Sequence, residues 1–81
     1  MPRFVDFHND LVLSQEALAQ LSADTHDHKA DQFGVSQVEL YYNDDGKAYC
    51  VLDGPDEDAI RAHHEALGVP CGKVDQVEYL T

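Results

Sequence analysis

The stretch KAYCVLDGPDEDAIRAHHEALG, residues 47–68, predicts a buried strand that leads directly into a helix. Residues 48–52 form a continuous run of apolar, β-tolerant side chains bounded by Gly46 and Gly54. Such a run is typical of a strand in the interior of a sheet.

The second half of this stretch predicts a helix over residues 56–67. Pro55 suits the first helical turn, the acidic residues 56–58 favour the positive end of the helix dipole, and Gly68 supplies the stop. Ile60, His63, His64 and Leu67 share the i, i+3, i+4, i+7 spacing of an inward face, so both imidazoles lie on or beside the buried stripe.

The rest of the chain predicts three more strands and one more helix in a single domain spanning residues 1–81. The predicted elements are a strand at Arg3–His8, a helix from Ser14 to Phe33 closed by Gly34, a strand at Val35–Tyr42, a turn at 43–46 and a strand at Lys73–Leu80. The order βαββαβ is that of the α+β ferredoxin-like fold, a four-stranded antiparallel sheet with two helices on one face.

The predicted pattern leaves one sheet face uncovered. We expect apolar residues on that open face, among them Phe4, Tyr49 and Val51, and therefore a homodimer that packs sheet to sheet. In the first helix, intervals of 100° per residue place His26 inward, whereas Asp24, Asp27 and Asp31 fall on a solvated face.

Composition excludes several classes of partner. The chain has 16 acidic residues against five Lys and Arg, a formal charge of −11, which repels nucleic acids and anionic membranes. The N-terminal residues lack the apolar core of a signal peptide, so a cytoplasmic location is expected. The two cysteines, Cys50 and Cys71, are expected to be reduced, with Cys50 an inert core thiol.

The histidines are the main candidates for chemistry. Asp6 and His8 share one face of the first strand, and His26, His63 and His64 lie on helices, so these five residues are the candidate metal ligands. The chain carries no HExxH or zinc-finger spacing, and any site must assemble from separate elements. Imidazole with carboxylate suits divalent nickel, zinc or cobalt, and with no thiol expected at the site, Cu(I) is disfavoured.

Several short motifs resemble one known family. They are Gly46-Lys47 followed by Cys50-Val51, the turn Gly54-Pro55-Asp56, the helix end with His63, Glu65, Ala66 and Gly68, the Asp6-x-His8 pair and the step Gly34-Val35. Together they resemble the short nickel-binding ferredoxin-like proteins known mainly from actinobacteria, a family grouped as a domain of unknown function.

The resemblance implies a small homodimer that binds a divalent metal, nickel first and zinc second, without established catalysis. It carries over Asp6, His8 and His63 as ligands. Members typically have a His-x-x-Asp pair in the first helix, where this chain has Ala23 and His26. Either one ligand is lost here or His26 replaces the acid. His64 is an extra histidine relative to the family pattern, and we rank His63 above it.

The leading hypothesis is therefore a non-enzymatic metal-binding protein, with His8, His26 and His63 as nitrogen ligands supported by Asp6 or His64. An alternative is a small-molecule binder or acid/base enzyme of the dimeric ferredoxin-like type, with His8 or His63 in a cavity. A third is a structural dimerisation module whose histidines are core residues.

Overall fold

A computed structural model describes residues 2–78 and Leu80. The elements in chain order are β1 (Arg3–His8), α1 (Gln15–Asp27), β2 (Ser36–Tyr42), β3 (Ala48–Asp53), α2 (Glu57–Leu67) and β4 (Val74–Val77). The strands form one antiparallel sheet in the order β2-β3-β1-β4, which confirms the predicted ferredoxin-like fold. Neither helix is long and apolar enough to cross a membrane within the described residues.

The centre of the sheet is the pairing of β1 with β3. Its register places Phe4 opposite Leu52 and Asp6 opposite Cys50. Because side chains alternate along a strand, these residues share one face with His8, and all five are buried against the helices. The sheet therefore carries a carboxylate and an imidazole directly into the core, whereas the alternation of β1 predicted only that these two residues share one face.

Helix α2 covers this buried face, and it is capped by Asp56, which was predicted to lie in the helix, and by Gly68, the predicted stop. The Asp56 side chain accepts a hydrogen bond from the Ala59 N–H at 2.8 Å, and Gly68 ends the helix in the left-handed conformation with φ 70°. Ile60 and His64, one turn apart, are its two buried residues. The helix thus brings one of its two histidines onto the sheet.

Helix α1 is shorter than predicted, because it ends at Asp27 rather than Phe33. His28 adopts a left-handed conformation with φ 51°, and its N–H and that of Lys29 bond back to carbonyls in the last turn. The predicted stop, Gly34, instead belongs to a turn in which its N–H donates to the Asp31 carbonyl at 3.0 Å. Asp31 is consequently a half-buried loop residue and not part of a solvated helix face.

Both edge strands differ from the simple alternation. A bulge in β2 between Gln37 and Glu39 pairs these residues with Leu52 and Val51, and Gln37 is buried on the core face whereas Glu39 is exposed. Strand β4 ends at Val77 instead of Leu80, and the part of that prediction at Tyr79 lies outside the described residues.

The open sheet face carries aromatic side chains, although Phe4 is not one of them. Phe4 is 3% exposed and belongs to the core cluster, so its predicted placement was wrong. Phe7 and Tyr49 lie opposite each other on the outer face, with ring centroids 4.8 Å apart, and Tyr41 lies beside Tyr49. All three rings are at least 41% exposed.

Candidate metal centre

Three polar side chains from two elements converge inside the core. Asp6 and His8 come from β1, two residues apart, and His64 descends from α2 onto the same face. The Nε2 atoms of His8 and His64 lie 2.7 Å and 2.5 Å from the same atom, Asp6 Oδ2. Asp6 is only 1% exposed.

The tautomer of His64 is set by the backbone of its own helix. Its Nδ1 atom lies 2.7 Å from the Ile60 carbonyl oxygen, which can only accept, so Nδ1 carries the hydrogen. In the neutral ring Nε2 then presents a lone pair to the Asp6 carboxylate. Two acceptors 2.5 Å apart repel each other unless a proton or a cation lies with them.

The carboxylate of Asp6 lacks an aligned donor despite these short distances. Neither of its buried oxygens has a hydrogen-bond partner of acceptable geometry among the described residues. An ionised carboxylate in the core without such partners is costly, and buried charges are normally paired or coordinate a metal. Two imidazole nitrogens and one carboxylate oxygen are also a donor set that suits a borderline divalent cation.

Electrostatics favour positive charge at the same place. Burial disfavours the imidazolium form of His64, but its contacts with the Asp6 carboxylate and the Ile60 carbonyl outweigh burial and raise the pKa of His64. The centre therefore attracts a positive charge, which a proton or a metal ion can supply.

Two thiols flank the carboxylate, contrary to the expectation of a site without sulfur. Ligand atoms of Asp6, His64 and Cys71 lie within 4.8 Å of one another, and so do those of Asp6, His8 and Cys50. Both cysteines are free, as predicted. Burial, with the nearby Asp6 charge, raises the pKa of Cys50 to about 12, so this thiol stays protonated at neutral pH, in agreement with the predicted inert role.

His63 lies outside this cluster, although we ranked it above His64. Its Nδ1 atom is 2.6 Å from Asp31 Oδ2, on the loop after α1. The two neighbouring imidazoles meet edge to face at 5.7 Å, so they point in different directions. His63 borders a separate cavity of about 490 Å³ that also includes Asp24, Lys29 and Leu67.

His26 is exposed, so the prediction that it points inward was wrong. It lies in the last turn of α1, beside Leu18, Leu40 and Tyr42, over the β2 side of the sheet. The half-buried residues of α1 include Leu18, Leu21 and Thr25, so the predicted inward stripe was rotated about the helix axis. The structure thus brings together Asp6, His8 and His64 but not His26 or His63.

A surface cleft reaches one member of the cluster, His8. It has a volume of about 400 Å³ and is also lined by residues 7 and 9–11 and by the two neighbours of Cys71, Pro70 and Gly72. Cys71 was missed as a site residue because it lies on an irregular loop, where no periodicity places a side chain. Cys71 also forms no recognisable sequence motif with the other candidate ligands.

The fold and the cluster define a ferredoxin-like domain with a buried carboxylate–imidazole centre that two thiols adjoin. The family model described as nickel responsive protein SCO4226-like matches residues 4–77, and the chain belongs to this family. SCO4226 from Streptomyces coelicolor A3(2) is a similar crystal structure, with a TM-score of 0.72 and 23% sequence identity over 98% of this chain and 99% of that one. No curated protein matches the chain.

Proposed function

We propose that this chain is a non-enzymatic binding protein for a divalent metal, nickel first and zinc second, with Asp6, His8 and His64 as its core ligands. The observation that carries the proposal is the buried Asp6 carboxylate, which has two imidazole nitrogens within 2.7 Å but no aligned donor among the described residues. The name of its family, nickel responsive, supports nickel as the first metal to test.

The three side chains have complementary parts in such a site. His64 is oriented by the Ile60 carbonyl, which keeps its Nε2 atom available, an arrangement found in most histidine ligands. Asp6 supplies the negative charge that offsets part of the charge of a divalent ion. The bound cation would supply Lewis-acid charge that relieves the repulsion between these acceptors.

Calorimetric titration of tag-free protein with nickel and zinc tests the proposal. We expect one site per chain with a dissociation constant in the micromolar range or tighter, which corresponds to at least about 8 kcal/mol. Removing the metal with a chelator should lower the melting temperature, because the ion binds the folded state only. Binding no tighter than about millimolar for both metals would reject the proposal.

A small-molecule site at His63 is the second candidate function. The cavity of about 490 Å³ beside it falls within the size range of ligand sites, and Asp31 orients the imidazole through the 2.6 Å contact. Its lining mixes Lys29 and Asp24 with Leu21 and Leu67, which suits a small amphiphilic ligand. NMR titration with a fragment library tests it, and the absence of any ligand that shifts the His63 resonances would reject it.

We further propose that two copies pair through the open sheet face. Phe7, Tyr41 and Tyr49 form an exposed aromatic group, at whose edge the Tyr41 hydroxyl donates a hydrogen bond to the Glu39 carboxylate. A second copy can remove these rings from water. Sedimentation should give a dimer for the wild type and a monomer for Tyr49→Glu, and a wild-type monomer at high micromolar concentration would refute the pairing.

A further inference from the structure

Cys71 occupies the loop between α2 and β4, on the side of the centre that faces the surface. The loop starts from α2 with a hydrogen bond from the Val69 N–H to the His64 carbonyl at 3.0 Å, so its beginning is tied to one of the proposed ligands. The Sγ atom then lies within 4.8 Å of ligand atoms of both Asp6 and His64. The side chain is half-buried, and residues 69–73 belong to no strand of the described sheet.

The proposed centre lacks a fourth donor. Zinc, cobalt and nickel sites in proteins commonly use four protein or water ligands, and Asp6, His8 and His64 supply three. The second oxygen of Asp6, Oδ1, is buried and has no hydrogen-bond partner within the described part of the chain, and buried charges are normally paired or bind a metal. The unpaired Oδ1 atom supports a cation site at Asp6 without reference to Cys71.

We propose that Cys71 is the thiolate ligand that completes the metal centre, giving a set of two imidazoles, one carboxylate and one sulfur. This inference rests on the proposed metal-binding function. On binding, the S–H bond breaks, the sulfur bonds to the divalent ion, and the proton passes to solvent. The charges of the ion, the Asp6 carboxylate and one thiolate then sum to zero, which limits the cost of burying the centre.

Cys50 is the less suitable of the two thiols. It lies within β3, where its backbone is held between β1 and β2 opposite Asp6 and Leu40. A second thiolate would also leave the buried centre with a net negative charge. Cys71 lies on the loop between α2 and β4, so its backbone is not held between two neighbouring strands.

Cobalt titration monitored by absorption tests this assignment on the full chain. The wild type should develop a near-ultraviolet thiolate-to-cobalt charge-transfer band that saturates at one ion per chain. Cys50→Ala should keep the band, whereas Cys71→Ser should bind cobalt without it and about 10- to 100-fold more weakly, by analogy with the loss of other supporting groups. Circular dichroism of each variant checks that it is folded.

Protection from alkylation gives a second readout that requires no variant. Iodoacetamide should modify Cys71 in the metal-free protein, and saturating zinc should slow that modification at least about 10-fold. A charge-transfer band that persists in Cys71→Ser, cobalt binding by the wild type without a band, or equal alkylation rates with and without bound zinc would overturn the role of Cys71 while leaving metal binding intact. No binding of any of these metals would instead overturn the proposed function itself, and this inference with it.

Discussion

His64 Nε2 and Asp6 Oδ2 lie 2.5 Å apart in the core, while the other nitrogen of His64 is occupied by the Ile60 carbonyl. The two atoms can share a metal ion, or a proton in a buried ion pair. In an ordinary pair the carboxylate would receive an aligned N–H bond, and Asp6 receives none from the described residues. The three candidate functions of the chain therefore differ most sharply in what they predict for Asp6.

Replacement of Asp6 by asparagine should abolish tight metal binding without unfolding the protein. We expect nickel and zinc affinities to fall at least about 100-fold, because the variant loses the anionic ligand. The metal-free variant should be as stable as the wild type or more so, since a desolvated charge without aligned donors is removed. Calorimetric titration and urea unfolding measure the two effects.

A purely structural role for the cluster predicts the opposite pair of results. If Asp6 only holds His8 and His64 in place, the variant should be strongly destabilised in the absence of metal. A large loss of unfolding free energy together with unchanged metal affinity would therefore contradict the metal centre and support the dimerisation module.

The two adjacent histidines of α2 offer a matched pair of variants. His64→Gln should lose metal binding by about 100-fold or more, because it removes a nitrogen ligand at Asp6. His63→Gln should keep it, since His63 contacts Asp31 instead. A loss only in His63→Gln would support the ligand set implied by the family resemblance, and equal losses in both variants would contradict both ligand sets.

The sequence predicts the positions of site residues that depend on a single strand or helix, but not those that depend on how two elements pack together. Alternation along β1 places Asp6 and His8 on one face whatever the rest of the chain does. The choice between His63 and His64 depends on how α2 is rotated about its axis on the sheet, and neighbouring helical residues differ by about 100°. Packing of Ile60 decides that rotation, and the sequence pattern accommodates both histidines equally well.

The sequence predicted the fold better than the site, because the residues that begin and end most helices and strands are recognisable in it. Capping by Asp56 and Gly68 defined α2, and the apolar run of β3 defined the sheet centre. Helix α1 was overextended because its end is a left-handed histidine, His28, a conformation that few residues other than glycine adopt. A bulge such as the one after Gln37 likewise depends on pairing with a neighbouring strand.

Asp31 should stabilise the loop that follows α1. Its Oδ1 atom accepts hydrogen bonds from the N–H groups of Phe33 at 2.9 Å and Val35 at 3.0 Å, and its Oδ2 atom contacts His63. Asp31→Ala should lower the free energy of unfolding by about 1–3 kcal/mol, because buried or half-buried donors lose their acceptor. Asp31→Asn, which keeps an acceptor oxygen, should cost less.

The contribution of Asp31 should also depend on pH. Burial opposes ionisation of this carboxyl, but His63 and the backbone N–H groups of Val35 and Phe33 outweigh burial and lower its pKa. Its contribution is therefore complete above the ordinary aspartate pKa of about 3.9 and is lost as the pH falls through the lower folded value. Urea unfolding at several pH values should show the difference between wild type and Asp31→Asn shrinking below about pH 4. A difference that grows on acidification would contradict this sign.

Gly54 should be required for close packing of α2 on the sheet. A Cβ atom there would lie 2.9 Å from Ile60 Cδ1 and 3.2 Å from Val35 Cγ2, and both of these side chains are almost completely buried. Gly54→Ala should therefore destabilise the protein by about 1–3 kcal/mol, as overpacked cores do. It should also weaken nickel binding, because displacement of Ile60 moves His64, one turn further along the same helix.

Gly72→Ala is the matched control for Gly54→Ala, since a Cβ atom at position 72 would meet no described atom within 4 Å. This variant should leave stability in urea nearly unchanged, because an added methyl group there displaces nothing. Equal stability of both variants would mean that α2 can shift without cost, and the position of His64 over Asp6 would then not depend on the contact between Gly54 and Ile60.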